Sequence, residues 1–129
     1  MHCFLLLNNV SAIEAGQKHI LSIEHEKTQY VIAESLFAMF CYFNKNTAFD
    51  FIANLMANLA CVEEGRNWML TNKYFDVITM HLLTRQCNNH RRKSLITCIK
   101  NLSFEYEKYE TKFLELNVPH DLAKLLINE

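Results

Sequence analysis

The chain holds 5 cysteines, 6 histidines and 14 carboxylates, from which a nucleophile, a general base or a metal site could be assembled. Their spacing argues against all three. The cysteines stand at 3, 41, 61, 87 and 98, odd in number and with no Cys-x-x-Cys pair. The histidines at 2, 19, 25, 81, 90 and 120 do not repeat at the short intervals of a metal site. His25-Glu26 begins a zinc-protease pattern, but the second histidine it needs is Gln29, so an ordinary polar pair is the simpler reading. No Gly-rich phosphate loop and no Gly-x-Ser-x-Gly elbow occurs. Structural thiols are the default reading, so reduced, mostly buried thiols in a cytosolic protein are expected. The chemistry expected is non-enzymatic, with no cofactor; a hidden thiol enzyme is the least supported class.

Residue types suited to binding are more ordered. Asn9, Asn58 and Asn101 each precede an apolar residue, at intervals of 49 and 43. An amide both donates and accepts, so a ladder of them could hold an extended peptide; equally, each could tie its own inter-helix turn. Arg91-Arg92-Lys93, with Lys100 two turns on, places cations where a helix start disfavours them. Either an acidic partner segment or nearby carboxylates such as Glu63, Glu64 or Glu105 must offset that cost. Glu105, Glu107, Glu110 and Glu115, with Tyr106 and Tyr109, read as a solvated acidic turn or as a docking patch.

The elements that carry these residues are helical. With 2 Gly and 1 Pro in 129 residues, the chain lacks the positive-φ positions that hairpins and nucleotide loops require. Half the residues are apolar and the net charge is −1, which excludes disorder and a general basic field for nucleic acid. The most apolar stretch, Tyr30 to Phe43, is too short for a bilayer, which takes about 20 residues, and no secretory signal is legible at the start. Helices are expected near 2–13, 17–23, 29–42, 47–61, 66–72, 74–86, 90–104, 107–115 and 119–128, with polar breaks at Asn44-Lys45-Asn46 and Cys87-Asn88-Asn89 and Pro119 in the last first turn. Phe51, Leu55, Leu59 and Val62 form one apolar stripe, and Leu95, Ile99, Leu102 and Tyr106 another.

The chain also repeats. At an offset of 49, Asn9, Glu14, Gly16 and Leu21 fall on Asn58, Glu63, Gly65 and Leu70, and Val10, Ile13 and Ile20 on Leu59, Val62 and Met69. At 43, Asn58-Leu59 meets Asn101-Leu102 and Leu82-Leu83 meets Leu125-Leu126. Both glycines share one repeat position, where a left-handed helix terminus is expected. Lys108 takes that position in the third copy, so a different turn is expected there. A period in the forties is the armadillo/HEAT signature. The fold expected is an all-α, armadillo-like solenoid, one domain over 1–129 with repeats near 1–45, 46–87 and 88–129. Neither terminal element reads as a polar cap, so a segment of a longer solenoid, with apolar surface exposed at its ends and scope for self-association, is expected. Leu5, Asn54 and Thr97 stand four residues before the three asparagines, where nuclear-import armadillo proteins carry stacking tryptophans; binding of nuclear signals is not expected, and Asn54 joins the protein-binding candidates.

Three segments resemble the Hgh family of armadillo-like cytosolic proteins: Leu5-Leu6-Leu7-Asn8-Asn9-Val10-Ser11 with Gly16, Phe51 to Ala60 followed by Glu64-Gly65-Arg66, and Arg91-Arg92-Lys93 through Asn101-Leu102-Ser103-Phe104-Glu105. Ser94 and Thr97 replace glycines of the family pattern, and Tyr109 stands near its usual histidine. The resemblance implies a non-enzymatic adaptor that assists folding of translation elongation factor 2 with the cytosolic chaperonin and co-chaperones, without nucleotide, metal, nucleic acid or membrane. It marks Arg66, Arg91, Arg92 and Asn101 as matched polar positions, to stand with Asn9, Asn54, Asn58, Lys93 and Lys100 as candidate protein-binding residues. The alternative is a generic armadillo scaffold that recruits a peptide or subunit in trafficking, cytoskeletal or signalling assemblies.

Overall fold

The structure, a computed structural model, describes residues 2–23, 31–42, 47–72, 74–83 and 87–127. The expected break at 44–46, the His25, Glu26 and Gln29 positions and the margins of three expected helices lie outside them. Every regular element among the described residues is helical: α1 (His2–Val10), α2 (Glu14–Ser22), α3 (Val31–Tyr42), α4 (Asp50–Leu59, entered through a 3-10 turn at Thr47–Phe49), α5 (Glu63–Thr71), α6 (Tyr74–Leu83), α7 (Asn89–Leu102), α8 (Tyr106–Glu115) and α9 (Val118–Ile127). Helices three apart in the chain pack on one another: α1 on α4, α4 on α7, α2 on α5 and α6 on α9. The two sequence offsets have a simple origin. Eight residues separate α2 from α3, whereas two separate α5 from α6, which accounts for 49 becoming 43.

The core draws side chains from α2 through α9. Ile20, Phe40, Ile52, Leu59, Met69, Phe75, Ile78, Leu95 and Leu102 are fully buried, and removing such side chains from water is the main stabilising term. Trp68 meets Tyr74 edge-on at 4.9 Å between ring centroids, and Phe75 meets Phe113 at 6.0 Å. Tyr106, expected on the buried stripe of the third long helix, instead opens α8 and is exposed, because α7 ends at Leu102. The thiols divide: Cys87 and Cys98 are buried, but Cys3 and Cys61 are exposed, so burial is not their common property.

The glycines correct the sequence reading. Neither has a positive φ; Gly16 and Gly65 are the third residues of α2 and α5. Each lies where the new helix crosses the carbonyl end of the one before. A Cβ on Gly16 would sit 1.8 Å from the Val10 carbonyl oxygen, and one on Gly65 1.9 Å from that of Leu59. What the position demands is close approach rather than a left-handed turn. Read as terminators, the glycines pushed the expected starts of α2 and α5 to 17 and 66, three residues late. Ile13 and Val62 precede these helices in extended conformation (ψ 146° and 151°), and acidic Glu14 and Glu63 complement the exposed N–H groups of the first turn. In the third copy the equivalent junction differs as expected: Glu105 has ψ 48°, which leaves room for Lys108. Asn117, with φ 57°, holds the left-handed position among the described residues, between α8 and α9, and Pro119 falls in the first turn of α9.

Candidate functional site

The three repeat asparagines lie near the ends of α1, α4 and α7, and two of them make the same bond. Asn58 Nδ2 lies 3.5 Å from the Asn8 carbonyl oxygen, and Asn101 Nδ2 lies 2.9 Å from that of Ala57, the equivalent residue one repeat later. Each amide thus reaches the last turn of the preceding long helix, whose carbonyls have no partner within their own helix. Asn58 also donates to Ser11 Oγ at 2.9 Å, and Asn54 Nδ2 donates to Asn8 Oδ1 at 3.0 Å. Ser11 is buried; its hydroxyl donates to the Asn8 carbonyl at 2.9 Å, while its own carbonyl accepts from Gln17 Nε2 at 2.8 Å. Asn54, Asn58 and Asn101 are half-buried, and their amide donors are spent between repeats. Asn9 is exposed.

The cations separate by burial. Arg91 is internal: its Nε–H donates to Asp50 Oδ1 at 2.8 Å, and its guanidinium lies 4.8 Å from the centroid of the Phe40 ring. Asn88 completes the arrangement. Its Oδ1 accepts from the Arg91 backbone N–H at 2.9 Å, capping α7, while its Nδ2 donates to Asp50 Oδ2 at 2.6 Å. The cost of a cation at this helix start is therefore met by Asp50, a carboxylate absent from those named on sequence grounds. Asp50 opens α4 just as Arg91 sits in the first turn of α7, and the two helices pack side by side; the pair lies two residues off the 43-residue offset, which sets Lys93 against Asp50, so repeat spacing does not find it.

Arg66 is also internal. It donates to the carbonyls of Cys61 at 2.8 Å and Ala60 at 3.3 Å, and it pairs with Glu105. It therefore ties the α4–α5 turn to the α7–α8 turn. Arg92 is half-buried, and Lys93 and Lys100 are exposed. Lys93, Ile96, Thr97 and Lys100 line the exposed face of α7, in which Ile96 is the apolar member.

The remaining titratable groups follow from burial. His81 lies tilted against Phe40, with ring centroids 4.8 Å apart, and burial, then the positive field of Arg91, holds its pKa below the usual imidazole value. Burial pushes the Cys98 thiol well above its usual range and raises Cys87. On the surface, Lys108 pairs with Glu63, and Tyr109 is buried with its hydroxyl donating to Asn67 Oδ1 at 2.9 Å, so α8 is bound to α5 by polar contacts. Of the acidic–aromatic patch, Tyr106, Glu107, Glu110 and Glu115 are exposed, Glu105 is half-buried and Tyr109 is buried. A shallow cleft of about 490 Å³ opens between the starts of α2 and α5, lined by Glu14, Lys18, Cys61, Glu63 and Glu64. Among the described residues, no three His, Cys, Asp or Glu side chains converge on a metal position, and no helix is long and apolar enough to cross a membrane.

An all-helical protein whose packed helices are tied by buried and half-buried polar contacts is the class that fold and site define. Over residues 1–127 the chain matches the family described as "Domain of unknown function (DUF383)", and it belongs to that family. No curated protein and no solved structure matches it.

Proposed function

We propose that the chain is an armadillo/HEAT-type solenoid segment of about three repeats that works as a non-enzymatic protein-binding module in the cytoplasm, and that it serves as an adaptor in the folding of translation elongation factor 2 alongside the cytosolic chaperonin. The observation that carries the solenoid reading is the recurring amide-to-carbonyl bond, Asn58 to Asn8 and Asn101 to Ala57, along the α1–α4–α7 stack. A stack of this kind offers an extended surface built from equivalent positions. The client assignment rests on the three Hgh-like segments. Capture from cytosol on the immobilised full chain tests it: elongation factor 2 and chaperonin subunits, recovered together and lost with Arg92→Glu plus Lys93→Glu, are the expected result. Their absence from a capture that recovers cytoskeletal or transport proteins overturns it.

One observation favours the generic scaffold as the second reading. Arg66 and Arg91, the most distinctive residues of the matched segments, are consumed in internal ion pairs. The similarity at those positions is then accounted for by repeat packing, which any scaffold of this build would share.

A further inference from the structure

We infer that the edge formed by the α4–α5 and α7–α8 turns docks an extended, arginine-bearing segment of a partner protein, with a guanidinium stacked on Phe104 and Glu64 and Glu107 facing its charges. The inference rests on the reading of the chain as a protein-binding module, not on the identity of any client. Among the described residues Phe104 is the most exposed large apolar side chain, at 83%. At the two sequence offsets its place is held by Cys61 and Ala12, which are exposed as well. Cys61 lies in the middle copy, with packed helices on either side, so this edge is open along the molecule and not only where the chain starts or stops. Its third turn is the one that departs. Glu105 has ψ 48° where Val62 has 151°, and a phenyl ring replaces the small residue at the tip. Tyr106, Glu110 and Leu114 stand at the places of Glu63, Asn67 and Thr71, which bond to α8, so they belong to the lateral face of α8 and not to this edge.

The charge of the edge says what the ring receives. Three of its carboxylates are matched: Glu14 by Lys18, Glu63 by Lys108 and Glu105 by Arg66. Glu64 and Glu107, equivalent at the 43-residue offset, are both exposed, and neither has an ion-pair partner among the described residues. The field of Glu64 reaches Lys18, but that ammonium is already held by Glu14. Each of the two carboxylates lines a shallow cleft, Glu64 one of about 490 Å³ with Cys61 and Glu107 one of about 460 Å³ with Phe104. The Lys108–Glu63 pair joins the rims of the two clefts. A phenyl ring beside unmatched carboxylates suits a cation, and arginine best, because a planar guanidinium stacks on the ring while its N–H groups donate to a carboxylate. Arginines at i and i+2 of an extended chain lie on one side and about 7 Å apart, which suits carboxylates on neighbouring helices about 8–10 Å apart. A second copy of this chain does not supply them: among the described residues Arg66 and Arg91 are buried and Arg92 half-buried. Nucleic acid and anionic membranes are repelled by the same carboxylates.

The test is fluorescence anisotropy of a fluorescein-labelled peptide of alternating Ser and Arg, titrated with the full chain at about 0.15 M salt, where weak surface attraction is screened. Two further peptides carry Lys or neutral citrulline in place of Arg. The wild-type chain should bind the Arg peptide saturably, the Lys peptide severalfold more weakly and the citrulline peptide not at all. Phe104→Ala, which changes no charge, should weaken binding by at least about fivefold, and Phe104→Tyr should restore it. Glu64→Gln and Glu107→Gln should each cost about threefold, while Lys93→Ala should leave binding unchanged. All of these side chains are exposed, so native circular dichroism is expected throughout. Absence of saturable binding, equal binding of the Lys or citrulline peptide, or indifference to Phe104→Ala overturns the inference, the last by reducing it to general charge attraction. So does sedimentation equilibrium showing a dimer that Phe104→Ala dissolves, which makes a second copy the occupant. Failure of the peptide titration leaves the elongation-factor capture unaffected, and failure of that capture leaves the titration unaffected.

Discussion

Arg91 and Asp50 form an internal ion pair, 2.8 Å from Nε to Oδ1, that joins the first turns of two adjacent long helices 41 residues apart in the chain. Removing one partner strands the other charge out of water. Arg91→Ala should therefore lower the unfolding free energy by about 3–5 kcal/mol, read from urea titration by circular dichroism. Lys93→Ala, two residues on and exposed, should stay within about 0.5 kcal/mol. Equal, small effects at both positions would show that the pair does not hold α4 against α7.

Gly16 and Gly65 should be the least replaceable small residues in the chain. An alanine ordinarily favours a helix over glycine by about 1 kcal/mol. Here the added Cβ meets a backbone carbonyl oxygen, so Gly65→Ala should destabilise by several kcal/mol, on the order of 2–4. Lys108→Gly at the third copy should cost only about 1 kcal/mol, the ordinary helix penalty. Thermal melts of the two variants check this; a Gly65→Ala chain as stable as wild type would mean that α5 can shift away from the end of α4.

Asn101→Ala should cost about 1 kcal/mol, the net value of one hydrogen bond at a half-buried site. Asn58→Ala should cost more, about 1–3 kcal/mol, because Ser11 is fully buried and loses a partner. A double-mutant cycle of Asn58→Ala with Ser11→Ala should show coupling, and simple additivity would sink the proposed contact.

Stability should fall on acidification through the histidine range. His81 has a folded pKa below its ordinary value of 6.5, through burial and then Arg91. Between the two pKa values the unfolded chain holds more protons than the folded one, so unfolding becomes easier as pH drops. The contribution is complete above the ordinary value and is lost as pH falls below it towards the folded value. Denaturant midpoints measured from pH 8 to pH 5 should decline, and His81→Phe should flatten that part of the slope. An unchanged slope would assign the acid sensitivity to other groups.

Helix content and the position of Pro119 are legible in the residues, because apolar periodicity carries the first and the fixed φ of proline the second. The role of glycine is not. A glycine that ends a helix and one that lets a crossing helix approach look alike in one dimension, and only the carbonyls of Val10 and Leu59 distinguish them. The polar candidates divide in the same way. That Asn9, Asn58 and Asn101 are equivalent is written in their spacing, but that two of them spend their donors on a neighbouring backbone depends on how closely the helices pack. Arg66 and Arg91 are ordinary surface residues to any composition argument. Their burial is fixed by Glu105 and Asp50, 39 and 41 residues distant, which no local pattern reveals.

The unequal linkers, eight residues between α2 and α3 against two between α5 and α6, bear on how such a chain tolerates insertions. The Asn-to-carbonyl bond is kept across both offsets, so spacing between neighbouring long helices is set by side chains and not by loop length. Closing a loop extended from two residues to eight costs only about 1 kcal/mol of entropy. Six residues grafted after Asn72 should leave the stack in register, which makes that junction a natural place to splice a reporter, an epitope or a cleavage sequence into the protein.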